Sequence, residues 1–139
     1  MTARRLALGS AGLGVVLFGL GGVWAMVSPR AFFEQIATYP PYNHHLLHDV
    51  GAFQLGIAAA LAAGVAARPG LVVGLWGGAV GASAHAVSHW LDADLGGRSS
   101  DAPSLTAVAV IVVAGLIAAE RAAGTTALTV PREGSQRSR

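Results

Sequence analysis

The chain has 139 residues, of which 53% are hydrophobic and only 12% are charged, and its mean hydropathy of +0.56 excludes an ordinary soluble domain. The pI is near 9.9, but the basic residues are all arginines dispersed along the chain, which excludes a nucleic-acid-binding patch. Cysteine is absent, so disulfides and thiolate metal ligands are excluded as well.

Four apolar runs set the predicted fold. Residues 6–27, 46–67, 71–91 and 104–120 each approach the ~20 residues that a membrane-spanning helix needs. They lack the polar faces that a soluble helical bundle would show at helical period. The predicted fold class is therefore all-α: a polytopic membrane protein whose residues 1–120 form an antiparallel four-transmembrane-helix bundle. Residues 121–139 are polar and Arg-rich, and we expect them to form a disordered cytoplasmic tail.

The segments between the runs carry helix start and stop signals. The first run follows "MTARR" and could be a signal peptide, but it exceeds the usual 7–15 apolar residues, so we expect a retained first helix. Pro29 favours the start of a short helix, and Asn43 is a good N-cap for the second spanning helix. The tight turn Arg68-Pro69-Gly70 joins the second and third runs. Ser104 is the expected cap of the fourth.

The arginines predict the orientation in the membrane. Seven lie at one end of the predicted bundle and two at the other: Arg4, Arg5, Arg68, Arg121, Arg132, Arg137 and Arg139, against Arg30 and Arg98. The positive-inside rule then places both termini in the cytoplasm of a multi-pass cell-membrane protein. The expected partners are the lipid bilayer and, through the apolar face of the fourth helix, a second copy or another membrane protein. No nucleic-acid partner is expected.

All five histidines lie in two short clusters, "NHHLLHDVG" at residues 43–51 and "SAHAVSHWLD" at residues 83–92. Asp49 precedes Pro69 by as many residues as His89 follows it, so a helical hairpin brings the clusters to one height near one membrane face. Ionisable groups at that depth are costly and suggest a site.

A helix turns by about 100° per residue. One arc of the second spanning helix therefore carries His45, His48 and Asp49 near its start and Ala52, Gly56, Ala59 and Ala63 further along. His44 lies just outside this arc and is expected to be solvated. On the third helix, Gly77, Gly81, His85 and His89 follow one another at i+4. Because membrane helices approach one another along small residues, we expect both stripes to face protein. Gln54, on the opposite side of its helix from His45, is expected to hydrogen-bond to a neighbouring helix.

The predicted constellation is a metal site formed by His45, His48, Asp49, His85 and His89. Imidazole and carboxylate ligands favour Zn, Cu(II), Fe or Mn. Asp92 and Glu34 are candidates to join it from above. Haem is a second possibility, with His48 and His85 as the axial pair. Two further interpretations stay open: a protonation switch, and a structural one in which the cluster is only a polar helix-packing and interfacial network.

The function follows only at the level of this site. The metal hypothesis suggests a small membrane oxidoreductase or its accessory subunit, and the structural hypothesis suggests an interaction subunit. The chain contains no Walker-type phosphate loop, no Gly-x-Ser-x-Gly elbow, no His-Glu-x-x-His and no lysine. Catalytic residues are therefore not predicted.

The layout resembles the DoxX-like small four-helix membrane proteins of bacteria. The resemblance rests on the Gly-rich first helix closed by "SP", the aromatic loop, and the H-x-x-x-D-V-G-x-x-x-x-G core at His45, Asp49, Val50, Gly51 and Gly56. It implies a four-helix membrane fold, and some members are associated with membrane oxidoreductase systems. The absence of lysine and the abundance of Ala, Gly and Arg are typical of a high-GC, actinobacterial genome.

Overall fold

The computed structural model describes residues 2–129. The α-helices of this part of the chain are, in order, α1 (Ala3–Val27), α2 (Pro29–Gln35), α3 (His44–Ala66), α4 (Leu71–Leu91) and α5 (Asp101–Thr129), with a 3-10 turn at Arg68–Gly70. Among the described residues, four helices are long and apolar enough to cross a membrane, namely α1, α3, α4 and the Asp101–Gly124 part of α5. The prediction of an all-α bundle with four membrane-spanning helices is confirmed.

Two helix starts follow the predicted signals and a third does not. The Asn43 side chain accepts a hydrogen bond from the Leu46 backbone N–H at 3.1 Å and caps α3, and Pro29 occupies the first turn of α2. The prediction that Ser104 caps the fourth spanning helix is wrong. The helix begins at Asp101, whose carboxylate accepts from the Arg98 N–H at 2.8 Å and fixes the preceding turn.

The last helix also ends later than predicted. It continues through residues 121–129, which the sequence placed in a disordered tail, because alanines favour continuation of the helix there. The rest of the predicted tail, residues 130–139, lies outside the described residues.

The spanning helices form two close pairs. α1 packs on α3, α4 packs on α5, and the pairs also contact each other through α1 with α5 and α3 with α4. Over the described residues, α3 and α5 occupy opposite corners and do not pack on one another. We call the end with residues 68–70 the turn end, and the end with residues 36–43 and 92–100 the loop end.

At the turn end the pairs meet through small residues. Leu61 of α3 is fully buried, and its side chain fills the space beside Gly14 of α1 and Gly78 of α4. Gly74 of α4 lies directly against the backbone of Ala60 on α3. Because glycine has no Cβ, these helices approach closely and gain dispersion contacts, which drive helix association in a membrane.

At the loop end the two pairs are bridged mainly by loops. The Gly97 N–H donates to the Thr38 carbonyl at 3.0 Å, which fastens the segment after α4 to the segment after α2. Phe32 of α2 is buried beneath this contact region together with Ala25 and Leu47. The helix pairs therefore pack tightly on each other at the turn end, whereas loops connect them at the loop end.

Apolar side chains are exposed on every spanning helix, including Leu20 on α1, Phe53 on α3, Val80 on α4 and Val110 on α5. Lipid tails cover such surfaces as well as protein does. The α5 face is not distinguished from the others, so a partner on that helix stays a prediction.

Candidate functional site

The structure does not gather the five residues of the predicted constellation. His45 lies beside Asp49, His48 contacts His44, and His85 contacts His89. Within residues 2–129, no group of three or more His, Asp or Glu side chains is arranged so that it could hold a metal ion. Four of the five histidines instead form two separate pairs, His44 with His48 on α3 and His85 with His89 on α4.

The α3 residues lie on the outside of the bundle. His45 and Asp49 are 3.6 Å apart with side chains 87% and 51% exposed, and the Nε2 atoms of His44 and His48 are 3.1 Å apart on an exposed surface. His44, expected to be solvated on its own, therefore has His48 as a neighbour. These residues are available to water and headgroups but do not reach the interior.

The prediction that their stripe faces protein is wrong. The small residues below His45 are all exposed: Ala52, Gly56, Ala59 and Ala63. α3 packs through its opposite face, which carries Gly51, Ala58, Leu61 and Gly64. Both faces of α3 carry small residues, so residue size alone did not identify the packed face. Gln54 lies on that inner face, where its amide packs against Gly21 of α1.

The two histidines suggested for haem have separate partners. The His48 imidazole contacts His44, whereas the His85 imidazole contacts His89. The two further candidates, Glu34 and Asp92, are both exposed. Glu34 forms an exposed ion pair with Arg30 at 2.9 Å, and Asp92 is an exposed residue at the C-cap of α4.

The α4 pair belongs to a chain of three polar side chains. The Nε2 atoms of His85 and His89 are 3.1 Å apart, as expected for residues one turn apart on the same face. The Tyr39 hydroxyl lies 3.0 Å from Nδ1 of His89, and the two rings meet edge to face at 5.4 Å. The chain thus joins α4 to the loop between α2 and α3.

Gly97 fixes the position of Tyr39. Its φ of +77° is in the left-handed region that favours glycine. A Cβ at this position would lie 2.7 Å from Cζ of the Tyr39 ring, too close for any side chain. The conformation and the missing side chain of Gly97 therefore let the loops close over the tyrosine.

The chain can carry its protons in two arrangements. In one, the phenol donates to Nδ1 of His89, and the Nε2–H of His89 donates to His85. In the other, the Nδ1–H of His89 donates to the phenol oxygen, and Nε2 of His89 keeps a free lone pair. The second arrangement leaves an imidazole nitrogen that can accept a hydrogen bond or bind a metal ion.

The environment keeps the phenol protonated. Burial, followed by the negative charges of Asp101 and Asp92, raises the pKa of Tyr39 above its usual value of 10.0. At neutral pH the hydroxyl is therefore available as a hydrogen-bond donor. The two carboxylates also make the electrostatic potential at this end of the chain negative.

The two histidines lie on the wall of a cavity of about 620 Å³ at the loop end. It separates the α1/α3 pair from the α4/α5 pair and is capped by α2 and residues 36–43. Most of the lining is apolar, and the polar members are Tyr39, Asn43, Gln54, His85, His89, Asp101 and Ser104. The cavity exists because the small residues that join the pairs are concentrated at the turn end.

Sequence reasoning missed two residues of this wall. Neither Tyr39 nor Asp101 was predicted to belong to a site. Tyr39 is far from His89 in sequence, and no local pattern links the two. The nearest available signal for Asp101 was its place just before an apolar run, which is typical of a helix start.

No protein-family model, curated protein or solved structure matches this chain. The resemblance to DoxX-like proteins rests on the motif in α3 and the four-helix layout.

Proposed function

We propose that this protein binds an apolar small molecule inside the bundle and holds its polar end with His85, His89 and Tyr39. The observation that carries the proposal is the position of this hydrogen-bonded chain on the wall of a mostly apolar 620 Å³ cavity. Ligand sites are typically of this size, with apolar walls and a few polar groups that fix orientation. Because this cavity lies between helices that span the membrane, it favours a ligand that partitions into the bilayer.

The proposal includes the location of the protein. We place it in the cell membrane with both termini in the cytoplasm and the loop end outside, because Arg4 and Arg5 lie in the first turn of α1 at the turn end and only Arg30 and Arg98 lie at the loop end. The cavity then faces the outer half of the bilayer. A ligand would reach it from the membrane or from the outer surface.

Filling the cavity should abolish binding. Val108 of α5 lines it, whereas Val110 on the same helix is 62% exposed. For protein purified in a neutral detergent, native mass spectrometry of co-purified molecules and titration with a lipophilic alcohol should show one bound molecule. We expect Val108→Trp to weaken binding by roughly tenfold or more, since the indole occupies the ligand's space, and Val110→Trp to bind as the unaltered protein does.

Comparison of Val108→Trp with Val110→Trp also distinguishes a loss of binding from a loss of folding. The melting temperature of both variants is measured first, and Val108→Phe replaces Val108→Trp if the latter does not fold. Equal binding by the two tryptophan variants would contradict the proposal. So would the absence of saturable binding by the unaltered protein, and the histidines would then be a polar packing network.

A transition metal is the second candidate, favoured by one distance. Two imidazole nitrogens that bind one metal at about 2.0–2.1 Å lie about 3 Å apart, and the Nε2 atoms of His85 and His89 are 3.1 Å apart. Tyr39 would accept from Nδ1–H of His89 and orient the ring, the usual role of a group behind a metal ligand. Other ligands would have to come from water or from the cavity's occupant. A redox-active metal there would suit an oxidoreductase or its accessory subunit.

The α3 pair supplies the control for this candidate. His44 and His48 also have their Nε2 atoms 3.1 Å apart, but on an exposed surface. We expect Co(II) or Cu(II) titrated into the protein to give a visible or paramagnetic spectrum that His85→Ala/His89→Ala loses and His44→Ala/His48→Ala keeps. A spectrum that is lost in His44→Ala/His48→Ala and kept in His85→Ala/His89→Ala would contradict a metal at His85 and His89. So would the absence of stoichiometric metal binding.

A further inference from the structure

The charges on the cavity wall indicate which kind of polar group the bound ligand carries. Among the lining residues, Asp101 is the acid, and neither lysine nor arginine is present. The other titratable groups on the wall are His85 and His89 of α4 and Tyr39 of the loop. The lining residues of α1 and the polar ones contributed by α3 and its cap, Gln54 and Asn43, do not titrate. With neutral imidazoles, the wall therefore carries one negative charge.

The Asp101 side chain is fixed in position by a hydrogen bond and not by an ion pair. It is half-buried at the start of α5, and its Oδ2 accepts from the Arg98 backbone N–H at 2.8 Å. Asp101 takes part in neither of the described ion pairs, which join Arg30 to Glu34 and His45 to Asp49. Burial, followed by the negative charges of Asp101 and Asp92, raises the pKa of Tyr39, so Asp101 acts on the polar chain of the wall.

The neighbouring groups suit a cation as well. The imidazoles of His85 and His89 offer nitrogen lone pairs to an N–H donor. Trp24 and Phe32 line the same cavity and pack edge to face at 5.8 Å, and aromatic rings attract cations. An anionic ligand would meet the Asp101 charge with no fixed cation to offset it, in surroundings that screen charge poorly.

We infer that the cavity's preferred ligand is an apolar amine in its protonated form, with its ammonium at the polar wall formed by Asp101, His85 and His89 and its apolar body among the helices. The inference rests on the proposed function and adds the chemical class of the ligand.

The test compares three ligands of one shape. Phenylbutylamine, phenylbutanol and phenylbutyrate are titrated calorimetrically into the full chain in neutral detergent at about pH 8, where an alkylamine is protonated and a carboxylate ionised. The Val108→Trp protein serves as the blank for partitioning into micelles. We expect the amine to bind at least about tenfold more tightly than the carboxylate.

Asp101→Asn is the decisive variant, because asparagine keeps an oxygen for the Arg98 N–H and removes only the charge. We expect it to reduce the difference between amine and carboxylate to within about threefold. Asp94 is an exposed acid in the loop before α5 and does not line the cavity, so Asp94→Asn should retain the full difference.

The outcomes distinguish the two proposals. If none of the three compounds binds saturably, the proposed function itself fails. If all three bind alike, or if Asp101→Asn keeps the full preference, only the assignment of an amine is overturned. Tighter binding of phenylbutyrate would likewise overturn it.

Discussion

Replacing Gly74 by leucine is expected to separate α3 from α4 and to lower the free energy of unfolding by about 1–3 kcal/mol, the usual cost of overpacking. A Cβ at Gly74 would lie 2.6 Å from the Ala60 carbonyl oxygen and 3.5 Å from Cα of Gly64. Both neighbours are backbone atoms, so neither can rotate away. Relief requires moving a whole helix, at the end of the bundle where the two helix pairs meet.

Gly77 provides the matched control for this substitution. It lies one turn along the same helix, and a Cβ there would meet nothing within 4 Å. Gly77→Leu therefore makes the same chemical change on a lipid-facing surface and should leave stability within about 0.5 kcal/mol. Thermal or detergent-induced unfolding, followed by helix content, measures both variants. Equal destabilisation would show that α3 and α4 do not approach each other at Gly74.

Removing the His89 side chain is expected to loosen the cap of the cavity while the bundle stays folded. His89→Ala loses the hydrogen bond to the Tyr39 hydroxyl and the edge-to-face contact between the two rings. Together these contribute about 2 kcal/mol to keeping the loops closed. Opening should therefore become more frequent by roughly tenfold or more.

Hydrogen exchange measures that opening at a defined amide. The Gly97 N–H is bonded to the Thr38 carbonyl, so its exchange should rise in His89→Ala, while the amides around Leu61 should change little because the turn end is intact. The control is His48→Ala, which also removes one member of an i,i+4 histidine pair, but on an exposed surface. Unchanged exchange at Gly97 in His89→Ala would show that the histidine does not hold the cap.

Much of the fold was predictable because the bilayer restricts the alternatives. A run of about 20 apolar residues must satisfy its backbone hydrogen bonds internally, and a helix does so. The four runs therefore gave the four spanning helices, and Asn43 gave the start of α3. The start of the last helix was missed because its first residue, Asp101, belongs to the polar segment that precedes the apolar run.

The site was predictable only in part. The two clusters do lie at the loop end, as the spacing about the turn required, and the His85 side chain does face the interior. His45 and Asp49 do not, because α3 is rotated so that Gly51 and Leu61 pack inward. Tyr39 belongs to the site because the loop between α2 and α3 contacts α4, and helical periodicity does not predict such a contact.

The sequence by itself determined the class of the protein, the number of spanning helices and the end of the bundle where the histidines gather. These follow from length, hydropathy and order along the chain, since lipid accepts only long apolar helices. Only the tertiary structure decided which face of each helix is buried. Lipid tails are as apolar as the bundle interior, so hydropathy does not distinguish the two faces of α3. That rotation separates His48 from His85 and leaves His85, His89 and Tyr39 together on the cavity wall.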